Sequence, residues 1–138
     1  MYLLDTCTIS EAVVKQPNQN VLNWLITQSP ETVYLSVITI GEITKGIQKM
    51  PISRRRSDLE EWLNQDLLIQ FQHRIVEIDI AIIILWGTLT GRLESQGRRL
   101  PTMDSLIAAT ALHRGFTLVT RNEKDFIETS VTILNPWT

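Results

Sequence analysis

The chain has few of the residues on which several common chemistries depend. It contains one cysteine in 138 residues, Cys7, which excludes an internal disulfide and fits a reducing cytoplasm. Its two histidines, His73 and His113, lie far from Cys7 in sequence, so nothing suggests a Cys–His dyad, and a zinc cluster lacks its usual ligands. Long apolar runs are missing as well. The strongest, Ile80 to Trp86, is far too short to span a bilayer. No basic-then-apolar leader is expected either, because the apolar start meets Asp5 at once. Nor is there an excess of either charge, since 13 Lys and Arg stand against 15 Asp and Glu. A nucleic-acid partner is therefore not announced by bulk charge and must be argued from local clusters. Arg54-Arg55-Arg56, Arg92 with Arg98-Arg99, and Arg121 with Lys124 are three such clusters, although most charge runs are solvated faces.

What is present reads as an ordinary globular mixture, with 43 % hydrophobic and 20 % charged residues and no repeat or low-complexity tract. One domain over residues 1–138 is expected. Tyr2-Leu3-Leu4 is a continuous apolar run, as in a parallel strand covered on both faces. Thr8 or Ser10 is placed to cap a short helix through Glu11 and Lys15, stopped by Pro17. Val21, Leu22, Trp24, Leu25 and Ile26 mark a second helix. Val33 to Ser36 is the second strand, and Ser36 caps a helix from Val37 to about Met50. A long helix from Ser53 to Phe71 opens on the arginine triplet, which opposes the helix dipole. Ile75 to Ile78 is a third strand. Asp79 caps a helix that runs toward Gly97, and Thr102 caps another that ends at Gly115. Phe116 to Thr120 and Val131 to Leu134 complete the strands. This alternation predicts a three-layer α/β/α sandwich around a mostly parallel sheet of four to five strands.

On that scaffold the acids fall in informative places. Asp5 ends the first strand. Glu42 lies in the second turn of the helix leaving strand two, and Asp104 lies in the first turn of the helix capped by Thr102. Asn122 and Asp125 follow the fourth strand. The C-terminal rim of an open parallel sheet is where chemistry collects. Asp104 precedes a strand, so it reaches that rim only if Gly97 to Pro101 carries the chain back over the top. Two carboxylates about 4 Å apart repel by about 4 kcal/mol at an effective dielectric of 20. Converging acids with only Arg121 or Lys124 nearby therefore point to a hard divalent cation, Mg²⁺ or Mn²⁺. The residues leave a bland reading equally open, with Asp5 a cap, Glu42 paired to Lys45, and Asp104 a helix-dipole acid.

Four blocks carry a resemblance. Leu3-Leu4-Asp5-Thr6, Ser36-Val37-Ile38-Thr39-Ile40-Gly41-Glu42-Ile43, Asp104-Ser105-Leu106-Ile107-Ala108-Ala109-Thr110-Ala111 and Leu118-Val119-Thr120-Arg121-Asn122-Glu123-Lys124-Asp125-Phe126 occur in that order. Together they resemble PIN-domain ribonucleases of the VapC type, closest to the FitB-like branch. The resemblance implies an Mg²⁺- or Mn²⁺-dependent endoribonuclease, the toxin of a type II toxin–antitoxin pair. It implies Asp5, Glu42 and Asp104 as metal-binding acids and Asp125 as a further catalytic acid. Thr6, Thr120 and Asn122 are expected beside the metal ligands, and Asn122 falls where a fourth acid often stands. Cys7 replaces the usual Asn after Asp-Thr. Arg98, Arg99, Arg121 and Lys124 are candidates for gripping RNA phosphates. The implied partners are RNA, a cognate antitoxin seated against the helices that carry Trp24 and Trp62, and a second copy of the chain. A higher hetero-oligomer with the antitoxin on operator DNA is also implied.

Two other classes are distinguishable. A domain that has lost tight metal binding through Asn122 would act only as a binding module within an antitoxin–operator complex. A phosphotransfer enzyme with Asp5 as nucleophile would need a second acid close to Asp5 and a suitably placed lysine, and the sequence shows neither.

Overall fold

The computed structural model describes residues 1–138. Five strands, β1 (Tyr2–Leu4), β2 (Val33–Ser36), β3 (Ile75–Val76), β4 (Thr117–Val119) and β5 (Ile133–Leu134), form one sheet in the order β3-β2-β1-β4-β5. Every pairing is parallel. The chain builds outward from β1 through β2 to β3 and then returns to the other side for β4 and β5. The reversal of strand order lies between β1 and β4, the position at which open α/β sheets form their crevice.

Alternation within the central strands divides the core in two. Leu3 and Leu118 are partners in register, as are Leu4 and Val119. Leu4 and Val119 join Ile9, Leu35, Ile43, Leu67 and Phe71 on one face. Leu3 and Leu118 join Leu89, Leu93, Ile107, Ala108 and Phe126 on the other. With successive side chains on opposite faces and both faces covered by helices, the expected α/β/α architecture is borne out.

The first helix, α1 (Thr6–Ser10), is capped by Asp5. This corrects the expected cap at Thr8 or Ser10 and the expected extension to Lys15. Asp5 sits one residue before the turn begins, whereas the Thr8 hydroxyl is already engaged, donating to the Val119 carbonyl at 2.7 Å. α2 (Gln19–Thr27) follows, then α3 (Val37–Gln48), capped as expected by Ser36 through the Ile38 amide. The span expected as one long helix is broken in character. α4 (Arg54–Glu61) passes into a π-helical stretch, Trp62–Leu67, and then α5 (Leu68–Gln70), a local widening that periodicity does not encode. Arg55 and Arg56 at its start donate to the carbonyls of Val13 and Met50, so their charge is satisfied despite the helix dipole.

α6 (Ile80–Ser95) is capped by Asp79, as expected. α7 (Thr102–Arg114) begins at Thr102 itself, with Pro101 preceding it and no side-chain cap, which corrects Thr102 as cap. Only Gly115, in the left-handed region at φ 68°, and Phe116 separate α7 from β4. The C-terminus of α7 therefore lies where β4 begins. A helix of this length rises about 20 Å, which returns its first turn, with Asp104, to the rim where the strands end. A short helix, α8 (Glu123–Phe126), follows β4 and is pinned by the fully buried Phe126.

Because Leu3 is fully buried in the central strand, Leu3→Ala is expected to cost about 3 kcal/mol or more in urea denaturation. A loss under about 1 kcal/mol would show that this strand is not the centre of the core.

Candidate active site at the sheet rim

Asp5 is built into the site by its own strand. Its amide donates to the Val119 carbonyl at 2.9 Å, which extends the β1–β4 ladder by one residue. The side chain is 4 % exposed. Its Oδ1 accepts from the Thr6 amide at 2.8 Å, and its Oδ2 accepts from the Thr120 hydroxyl at 2.7 Å. Thr120 in turn accepts from the Asn122 amide at 3.1 Å. A chain of donors therefore runs from the β4–α8 turn into the carboxylate. Asn122 contributes to it through its backbone, while its side chain is exposed at the start of α8.

Glu42 is held by the other neighbour of Asp5. The Thr6 hydroxyl donates to Glu42 Oε1 at 2.6 Å, and Thr39 Oγ1 lies 3.1 Å from the same hydroxyl. Thr39 and Glu42 are three residues apart on α3 and share a helix face, a signal that could have identified Thr39 in the sequence. Lys45 makes no ion pair with Glu42, because the two ion pairs in the structure are Arg56–Glu60 and Arg98–Glu128. The expected pairing of Glu42 with Lys45 is absent.

Asp104 enters from α7. The start of that helix is fixed by Trp86 Nε1, which donates to Ser105 Oγ at 2.8 Å, and by Ser105, which donates to the Thr102 carbonyl at 2.8 Å. Cys7 lies inside the network with its Sγ 3.6 Å from both Asp5 Oδ2 and Thr120 Oγ1. Burial and then the Asp5 charge push its thiol above the ordinary range. A neutral thiol there is neither a nucleophile nor a thiolate ligand.

The remaining candidates lie around this centre. Asp125 is exposed on α8 beside the buried Phe126. Arg98, Arg99, Lys124 and Asp125 line a groove of about 180 Å³, with Arg98 engaged by Glu128. Arg121 lies over the Trp137 ring, 5.1 Å from its centroid.

A family model described as PIN domain matches residues 2–131. The chain belongs to the PIN-domain family. It is 39 % identical to the plasmid stability protein StbB of Pseudomonas syringae pv. tomato, with 99 % of both chains covered. It is 34 % identical to the toxin FitB of Neisseria gonorrhoeae, again over 99 % of each. The crystal structure of FitAcB from that organism matches with a TM-score of 0.94 at 34 % identity, covering 99 % of both chains. The VapC ribonuclease Y4jK of Sinorhizobium fredii is 34 % identical, over 99 % of this chain and 98 % of the relative.

The electrostatics of this PIN domain gather its acids into one field. Asp104 is pushed up to about 6 from 3.8, first by burial and then by the charges of Asp5, Glu42 and Asp125. Three carboxylates from other parts of the chain therefore bear on Asp104, and neither ion pair reaches any of the four. The side chains do not close into a shell of three or more metal ligands. Asp5 and Glu42 instead take hydroxyl donors from Thr120 and Thr6. The donor set is all oxygen and negatively charged, with no counter-ion from the chain, and this chemistry fits a hard divalent cation.

A raised carboxyl pKa means that the folded protein holds the proton more tightly than the unfolded chain. The stability from Asp104 is fully present below about pH 3.8 and is lost as pH rises through about 6. Asp104→Asn is therefore expected to stabilise the protein in EDTA at pH 7.5 by about 1–2 kcal/mol, discounted for partial exposure, and to change little at pH 4. Urea denaturation at the two pH values measures this, and a variant destabilised at pH 7.5 would contradict the repulsion.

Proposed function

We propose that this PIN domain is the toxin of a type II toxin–antitoxin pair and an endoribonuclease that requires Mg²⁺ or Mn²⁺. The observation that supports this most strongly is the convergence of Asp5, Glu42, Asp104 and Asp125 without a neutralising side chain. The names of the relatives, a VapC ribonuclease and the toxin FitB, supply the substrate class and the setting. On this reading the whole chain works as one domain, in the cytoplasm. No helix is long and apolar enough to cross a membrane.

Asp5, Glu42 and Asp104 are the residues that hold the cation. When bound there, the cation supplies Lewis acidity at the scissile phosphodiester and at the attacking water. Thr120 and Thr6 fix the orientation of Asp5 and Glu42 through short hydroxyl hydrogen bonds, and such outer partners tune a site as strongly as its ligands. Asp104, partly buried beside Asp5 and Glu42, is the carboxylate placed to accept the proton that the attacking water gives up. Asp125 adds its negative charge to the same field. Arg98, Arg99 and Lys124, which line the groove beside Asp125, and Arg121, just before α8, grip the flanking phosphates.

The antitoxin is expected in the apolar groove of about 290 Å³ lined by Leu25, Ile26, Trp62 and Phe71. Trp62 also lines a second groove that reaches Thr6 and Glu42, so a segment continuing from the first into the second obstructs the acids. By family analogy the toxin pairs with a second copy and assembles with its antitoxin on operator DNA.

Single-stranded RNA is expected to be cleaved in Mg²⁺, to survive in EDTA, and to be cleaved at least about 100-fold more slowly by Asp5→Asn. Cleavage that persists in EDTA, or is untouched by that substitution, would remove the metal-dependent reading and leave a binding module.

A further inference from the structure

A groove of about 590 Å³ adjoins Glu42. It runs along one face of α3 past Ile38, Gly41, Glu42, Lys45 and Lys49, and Met103 from the start of α7 forms its other wall. Glu42 lines it directly, and Met103 is the residue before Asp104. The groove therefore opens onto the acidic centre.

Three observations indicate what it receives. Lys45 and Lys49 are exposed and one helical turn apart, and neither takes part in an ion pair. The rise along α3 from Glu42 to Lys49 is about 10 Å, so the two cations stand at increasing distance from the acids along a single line. Gly41 and Gly46 sit inside the helix, where each costs about 1 kcal/mol relative to alanine. A Cβ at either position meets nothing within 4 Å, so no packing in this chain requires them. Gly41, which lines the groove, keeps it open. Ile38 and Met103 add an apolar wall beside this charged edge.

We propose that this groove is a subsite for single-stranded RNA flanking the cleaved bond. Lys45 and Lys49 hold successive phosphates, and the Ile38–Met103 surface receives a base. The inference rests on the endoribonuclease reading. It adds to the Arg99–Lys124 groove a second stretch of substrate track, from Glu42 to the far end of α3.

The test uses the full chain with a fluorescein-labelled single-stranded RNA. Binding is followed by anisotropy in Ca²⁺ across a salt series, and cleavage is followed in Mg²⁺. The double variant Lys45→Ala/Lys49→Ala is expected to raise KM about tenfold with kcat within about twofold. It should also lower the slope of log affinity against log salt by about 1.4, since each single-strand phosphate contact contributes about 0.7. Gly41→Leu fills the groove without changing charge and is expected to weaken binding with the salt slope unchanged. Both should melt at or above the wild-type temperature, because the positions are exposed and the leucine improves helix propensity. An unchanged KM and salt slope in the lysine variant would overturn the subsite while leaving the nuclease intact. So would a loss of antitoxin affinity with RNA binding intact. A wild-type protein that cleaves no RNA would instead overturn the reading beneath it.

Discussion

Like charges are forced together where the strands of this sheet end, and most of the surrounding structure follows from that constraint. Asp5 is fixed because it continues the β1–β4 ladder and caps α1 at once. Asp104 is fixed because α7 must run back to the start of β4 across two residues. Glu42 is fixed by its place on α3, which Ser36 caps at the end of β2. None of the three is free to leave, and burial raises the cost of their charge. The hydroxyls of Thr6 and Thr120 offset part of it by donating to two of the acids. For Asp104 the repulsion appears as a raised proton affinity.

The same arrangement explains why the surface cations are divided. Basic side chains close to the acids would form ion pairs and neutralise the centre. Arg98 is instead taken up by Glu128, and Arg56 by Glu60. Arg99 and Lys124 line one groove with Asp125, and Lys45 and Lys49 line another with Glu42, none of the four in an ion pair. A polyanionic strand laid across such a centre meets repulsion there, which a divalent cation would resolve at neutral pH. Charge layout and proposed chemistry are thus the same feature.

Much of this was legible in the sequence. The continuous apolar start, the strand–helix alternation and the caps at Ser36 and Asp79 specified the three layers. The acids could be placed on the rim because a strand end and a first helical turn are local positions. What could not be read were contacts between residues far apart in the chain. The hydrogen bond from Thr120 to Asp5 spans 115 residues and that from Thr6 to Glu42 spans 36. Cys7 joined this network unforeseen for the same reason. Arg98 looked available because its partner Glu128 lies 30 residues away. Lys45 and Lys49 belong to no visible charge run, and the groove they line with Glu42 exists only in the folded chain. The π-helical stretch at Trp62–Leu67 and the cap at Asp5 in place of Thr8 depend on packing and on competition for hydroxyl donors.

The account comes down to whether one cation sits among acids contributed by β1, α3 and α7. Anomalous diffraction from crystals soaked in Mn²⁺ tests this most directly. A strong peak bounded by carboxylate oxygens of Asp5, Glu42 and Asp104 is the result predicted. A well-ordered rim with no peak there, or with manganese bound only elsewhere on the surface, would contradict it.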